Sequence, residues 1–84
     1  MSEALILYTR RGCHLCGRVA DDLQALADDF GLALDPRYVE DEPEWEAAHG
    51  HQVPVVVHRG HTIDWGRVDV MRVRDYLEGV VGLD

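Results

Sequence analysis

The only two cysteines of this chain, Cys13 and Cys16, stand where an apolar run gives way to an amphipathic stripe. Residues Ala4 to Thr9 (Ala-Leu-Ile-Leu-Tyr-Thr) have no helical spacing and a length that suits a buried strand. From Cys13 onward the apolar residues Leu15, Val19, Leu23, Leu26 and Phe30 recur at intervals of 4, 4, 3 and 4, with Arg18, Asp21, Asp22, Asp28 and Asp29 off the stripe. Gly31 supplies the stop. Two cysteines so close together cannot join distant parts of a fold. They belong to a metal site, or they cycle between dithiol and disulfide.

The remainder of the chain fixes the order of elements. Residues 32–40, "LALDPRYVE", alternate loosely, and Pro36 confines that strand to a sheet edge or splits it. In "DEPEWEAAHG", Asp41 as cap, Glu44 three residues on and Pro43 in the first turn predict a short helix ending near Gly50. "VPVVVH" and "HTIDW" read as strands joined by a tight Arg59-Gly60 turn. Asp69 caps a last helix carrying Val70, Val73, Leu77 and Val80 on one face. The order is β-α-β-α-β-β-α, an α/β chain whose first crossover makes parallel strands and whose closing hairpin is antiparallel.

The 84 residues suffice for one domain, 1–84, and 46% hydrophobic residues support an ordered core without cross-links. A formal net charge of −8 argues against nucleic acid and against anionic membrane surfaces. The stretch "MSEALILY" has no basic region and too short an apolar run for a signal peptide or a span. The expectation is a cytoplasmic protein whose thiols rest reduced.

Placed at a helix start, Cys13 lies among free N–H groups and at the positive end of the helix dipole, which stabilise a thiolate. Its thiol is expected to ionise more readily than an ordinary cysteine and to act as the nucleophile. Cys16, one turn on and more buried, then resolves the mixed disulfide. His14 lies between them, either favouring the thiolate in its charged form or simply facing solvent. The rival is a metal site, with the two cysteines joined by two of His14, His49, His51, His58 and His61. The histidine spacing does not follow the usual zinc pattern, and His58 and His61, flanking the hairpin turn, are expected to face solvent. Trp45 and Trp65 read as packing residues, and Arg10, Arg11 and Arg18 as a basic cluster around the dithiol.

The strand-turn-dithiol segment "LILYTRRGCHLC", the order of elements and the later "QVPVVV" resemble the thioredoxin superfamily, and within it the glutaredoxin-like branch, over nearly the whole chain. "LYTRRGCHLC" is especially similar to small bacterial glutaredoxin-like proteins. The resemblance implies a thioredoxin-like fold, with a four-stranded mixed sheet and helices on both faces. It implies a cis Val53–Pro54 bond lying against the dithiol, with Val53 offering its backbone to an extended substrate. Tyr8 and Arg10 match the family's tyrosine and its basic residue that contacts a glutathione carboxylate; His14 completes the expected substrate-binding set.

One departure stands out. Where glutaredoxins place paired glycines and an acidic pair for the γ-glutamyl end of glutathione, this chain has "WGRVD", with Arg67 and Asp69 after a single glycine. That segment is also similar to redoxins reduced by thioredoxin reductase.

The function implied is a monomeric thiol–disulfide oxidoreductase acting on protein disulfides or glutathione mixed disulfides. It would require no cofactor, with glutathione or a thioredoxin-linked reductase as reductant. The alternative is a binding module using the same cysteines, for a metal, a subunit-bridging iron–sulfur cluster or a partner that senses their oxidation state.

Overall fold

In a computed structural model of the protein, described here for residues 4–81, the elements run β1 (Ala4–Thr9), α1 (His14–Asp29), β2 (Ala33–Tyr38), a 3-10 turn (Val39–Asp41), α2 (Pro43–His49), β3 (Val55–His58), β4 (His61–Trp65) and α3 (Val70–Val80). The four strands form one mixed sheet in the order β2-β1-β3-β4. β1 pairs with β2 in parallel, from Ala4 opposite Ala33 to Thr9 opposite Tyr38. β3 is antiparallel to both β1 and β4. Pro36 lies inside β2 without interrupting it, because β2 is an edge strand and one of its sides needs no ladder donor.

Alternation along β1 divides the molecule into two layers. Leu5, Leu7 and Thr9 are buried on one face. There Leu5 and Leu7 join Val56 of β3, Val19, Leu23, Leu26 and Ala27 of α1, and Val73 and Leu77 of α3 in one core. On the opposite face Tyr8 meets α2: its ring stacks on His49 at 4.1 Å and meets Trp45 edge-on at 6.0 Å. Helices therefore cover both sides of the sheet, with α1 and α3 on one and α2 on the other.

The ends of α1 follow from its sequence. Phe30 is the C-cap, Gly31 adopts φ +69°, and the Leu32 and Gly31 amides return to the carbonyls of Ala27 (2.9 Å) and Asp28 (3.2 Å). This is a Schellman stop, and the buried Leu32 adds the apolar contact that accompanies it. The hairpin turn has both central residues at positive φ, Arg59 at 52° and Gly60 at 77°, the signature of a type I′ turn. Asp69 caps α3 through its side chain, which accepts from the Met71 amide at 3.0 Å. Asp64 ties that cap to β4, its carboxylate accepting the amides of Asp69 and Trp65, each at 2.9 Å.

Several sequence expectations are corrected. Leu15 is 47% exposed, because Cys16, one residue on, takes the inward position at the start of α1. Val80 is 43% exposed, because Val81, four residues after the buried Leu77, takes the inward position at the end of α3. Asp41 does not cap α2; the N-cap is Glu42, without a side-chain bond, and Asp41 is engaged by Arg11 instead. Trp65 is 54% exposed at the sheet's end rather than packed. His58 is fully buried rather than facing solvent. Two residues after Val56 it shares that residue's inward face. There its Nδ1 lies 3.2 Å from the Tyr76 hydroxyl, while His61 stays exposed and stacks on the same tyrosine.

Candidate active site

A tight turn carries the chain from β1 into α1. The Cys13 amide donates to the Arg10 carbonyl at 3.3 Å, and Gly12, third in the turn, sits at φ +79°. That conformation is what a type II turn asks of its third residue. A side chain at Gly12 would meet no atom within 4 Å, so the glycine serves backbone conformation and not space. Replacing it would strain the turn that aims Cys13.

The turn delivers Cys13 to the N-cap of α1, one position before the first helical residue. Its Sγ accepts the Cys16 amide at 3.1 Å and its carbonyl accepts the Gly17 amide at 3.1 Å. The sulfur thus takes the place of a capping oxygen, facing the amides that a helix start leaves unsatisfied. Cys13 and Cys16 are joined in a disulfide, with their Cα atoms 5.2 Å apart. Cys16 is 1% exposed, whereas Cys13 is only partly buried. The first cysteine is thus the more accessible of the two.

Beside the disulfide lies a cleft of about 340 Å³. Its dithiol side is Gly12, Cys13, Cys16 and Gly17; Arg10 and Arg11 form its rim, and Thr9, Ala20, Pro36 and Tyr38 complete it. Pro36 and Tyr38 enter because the parallel register sets them opposite Leu7 and Thr9, on the α1 side of the sheet. They were legible in principle, since alternation along "ALDPRY" puts both on one face, but the proline obscured the phase.

The arginines on the rim are held by carboxylates of this chain. Arg10 donates from Nη1 to Glu46 Oε1 at 3.0 Å and from Nη2 to Glu46 Oε2 at 2.6 Å; Nη2 also reaches the Gly50 carbonyl at 3.0 Å. Arg11 grips Asp41 with both Nη atoms, at 2.7 and 3.0 Å, and its amide donates to Glu40 Oε2 at 3.0 Å. Its guanidinium also lies over the Tyr38 ring at 4.2 Å. These hydrogen bonds hold the Glu46 and Asp41 carboxyls below the usual carboxylate range. That the acidic partners of these arginines come from this same chain has one sign in the sequence, the density of carboxylates in "VEDEPEWE".

The other expected site residues are placed as follows. His14 is exposed as the first residue of α1. Tyr8 lies on the α2 face, stacked on His49, outside the cleft walls. The Val53–Pro54 bond is cis, and Pro54 is buried just before β3. That segment is stitched to the end of β4: the Gly66 amide donates to the carbonyls of Pro54 (2.8 Å) and Gln52 (3.1 Å). Val53 and Pro54 do not line the cleft. Arg18 is exposed on α1, off the rim. Among the described residues no group of three or more His, Cys, Asp or Glu side chains is arranged to hold a metal, and no helix is long and apolar enough to cross a membrane.

The comparisons with known proteins agree with this fold. A crystal structure of the protein XcR50 from X. campestris superposes with a TM-score of 0.73 at 32% identity, covering 90% of this chain and 97% of that one. The solution structure of Ne2328 from Nitrosomonas europaea gives 0.75 at 20% identity, covering 90% and 92%. Thioredoxin 1 from Thermosipho africanus gives 0.63 at 18% identity, covering 89% and 94%, a likeness of fold. In sequence, the uncharacterized protein Rv0508 of Mycobacterium tuberculosis is 33% identical over 73 residues, 81% of this chain and 75% of the relative. The family model described as "Glutaredoxin-like domain (DUF836)" matches residues 4–78, and with its thioredoxin-like fold and Cys13–Cys16 pair the chain belongs to that glutaredoxin-like family.

Proposed function

We propose that the protein is a thiol–disulfide oxidoreductase in which Cys13 is the nucleophile and Cys16 the resolving thiol. The observation that carries this reading is the asymmetry of the pair. Cys13 is accessible and its sulfur is an N-cap acceptor, while Cys16 is buried beneath it. An N-cap position favours the anion over the thiol, and the thiolate is the attacking species.

In the reduced protein the Cys13 thiolate attacks one sulfur of a substrate disulfide. A new S–S bond forms to Cys13, the substrate bond breaks, and the departing thiolate takes up a proton. Cys16 then loses its proton and attacks the Cys13 sulfur, releasing the second substrate thiol and closing the Cys13–Cys16 disulfide. Two electrons have passed from the protein to the substrate. A dithiol or two glutathione molecules, or a thioredoxin-linked reductase, would restore the reduced pair by the reverse exchange. The dithiol is the only redox group this chemistry requires, and a monomer in a reducing cytoplasm suffices for it. Val53, preceding the buried Pro54, is proposed to offer its backbone to an extended substrate chain.

The test is trapping. Cys16→Ser should accumulate a stable mixed disulfide through Cys13 with a model protein disulfide, identified by mass. Cys13→Ser should form none. Equal trapping through either cysteine would overturn the assignment of roles. Stoichiometric zinc or an iron–sulfur chromophore in the purified protein, lost in Cys13→Ser, would favour a binding module instead.

A further inference from the structure

An anionic disulfide approaching Cys13 meets two cations on the cleft rim, and both are already engaged. Arg11 is held by the 3-10 turn directly after β2. Arg10 is held from farther away in sequence, by a carboxylate on α2. Three of its hydrogen bonds, two to Glu46 and one to the Gly50 carbonyl, use both terminal nitrogens of the guanidinium. Nor does Glu46 hang there loosely. α2 is fixed to the sheet on either side of it by Trp45 and His49, both packed on Tyr8. The Gly50 amide closes on the Glu46 carbonyl at 2.9 Å.

We propose that Glu46 is a specificity-determining residue: its carboxylate occupies the guanidinium edge of Arg10 that a substrate carboxylate would use, and so turns the site away from small anionic disulfides. The favoured substrates are polypeptide disulfides whose recognition does not depend on a carboxylate beside the reacting sulfur. What the site does chemically rests on the oxidoreductase reading above; the occupancy of Arg10 does not. The side chains of Arg10 and Glu46 are 37% and 45% exposed, so a carboxylate in solution competes with Glu46 and is not shut out. Exposed ion pairs are weak, and removing this competitor is expected to change anion affinity by about fivefold, not by orders of magnitude.

The experiment has a binding arm and an exchange arm. Oxidised wild type, Glu46→Gln, Glu44→Gln, Arg10→Gln and the Arg10→Gln/Glu46→Gln double variant are titrated with S-methylglutathione, an anionic thioether that cannot exchange, and followed by NMR. Circular dichroism confirms that each is folded. Glu46→Gln should bind about fivefold more tightly than wild type, and the gain should vanish in the double variant and shrink in high salt. Glu44→Gln removes the same charge from an exposed position on the same helix and should show no gain. In the exchange arm, reduced Glu46→Gln should gain the same factor with oxidised glutathione relative to the neutral bis(2-hydroxyethyl) disulfide.

Equal affinity in wild type and Glu46→Gln, or a gain that survives in the double variant or appears in Glu44→Gln, would overturn the inference. If the affinities rank as expected but no variant exchanges with either disulfide, Glu46 keeps its role and the oxidoreductase reading falls.

Discussion

The amide of Cys16 donates to the sulfur of Cys13 at 3.1 Å, so the two residues of the dithiol are also the cap and the third residue of one helix. Reduction breaks the S–S bond but leaves this arrangement available, because the cap geometry belongs to the backbone of the Arg10–Cys13 turn. The same amide that lies against the sulfur in the disulfide can then face a thiolate.

The first expectation follows from that contact. In the reduced protein, iodoacetamide should modify Cys13 far faster than Cys16. The pH profile of that reaction should lie below the ordinary cysteine value of about 8.5. Peptide mapping by mass spectrometry at short reaction times separates the two sites. Faster labelling of Cys16, or a profile at Cys13 no lower than that of a free cysteine, would count against the cap as the source of reactivity.

A second expectation separates two leucines of the same helix. Leu23 is fully buried in the core, and Leu23→Ala should cost about 2–5 kcal/mol of unfolding free energy. Leu15 is 47% exposed, and Leu15→Ala should stay within about 0.5 kcal/mol. Urea denaturation of both variants reads the contrast. Comparable losses would mean that Leu15 is packed.

These two leucines also show what the sequence disclosed. Spacing alone put both on the apolar stripe, and the stripe did place Val19, Leu23, Leu26 and Phe30 inward. At the start of α1, however, Cys16 competes with Leu15 for the inward position, and a hydropathy pattern does not rank a cysteine against its neighbouring leucine. The order of elements, the edge position of the Pro36 strand, the Arg59-Gly60 turn and the Asp69 cap were all legible, because each depends on local chemistry. The ion pairs of Arg10 and Arg11 were not. Their partners lie 36 and 30 residues away, and only the folded sheet brings the α2 and 3-10 carboxylates to the dithiol rim. His58 escaped for a related reason: its ring nitrogen meets the hydroxyl of Tyr76, 18 residues on, and only the folded chain brings the two together.

A third expectation concerns the cap of α3. The Asp69 carboxylate accepts the Met71 amide at 3.0 Å. Asp69→Ala should destabilise the protein by about 1 kcal/mol, and Asp69→Ser or Asn should recover most of that loss. In a domain of this size about 1 kcal/mol corresponds to a fall of roughly 4–8 °C in Tm, readable by calorimetry. No shift in Asp69→Ala would mean that Asp64, which holds the Asp69 amide, secures the helix start alone.

A fourth expectation concerns the acid limb of stability. The Glu46 and Asp41 carboxyls are held below their usual range, chiefly by hydrogen bonds from Arg10 and Arg11. A carboxyl depressed in the folded state contributes stability that is present above its unfolded value, about 4–4.5, and is lost as pH falls through the folded value. The urea midpoint should therefore fall on acidification below about pH 4. The double variant Glu46→Gln/Asp41→Asn should fall less steeply over that window while differing little from wild type in its dependence above pH 6. Parallel acid limbs would show that the two pairs are no stronger in the native state than in the unfolded chain.

The last expectation isolates His49, which is stacked on Tyr8 at 4.1 Å on the α2 face. Burial, with His51 adding like-charge repulsion, lowers its folded pKa below the ordinary 6.5. The neutral ring is therefore the form the fold prefers. Above pH 6.5 both folded and unfolded chains carry it neutral and its contribution is complete. As pH falls below that value the unfolded chain takes up the proton first, so stability declines until the folded value is passed and then levels. His49→Phe keeps an aromatic face for Tyr8 and removes the titration. In the interval just below pH 6.5 its stability should depend less on pH than that of wild type, with the two curves converging in slope at neutral pH. The same comparison followed through the Tyr8 and Trp45 fluorescence reads the local packing, since both rings touch at this face. If wild type and His49→Phe lose stability in parallel over that interval, the decline belongs to other histidines and the stack on Tyr8 tolerates the charged ring.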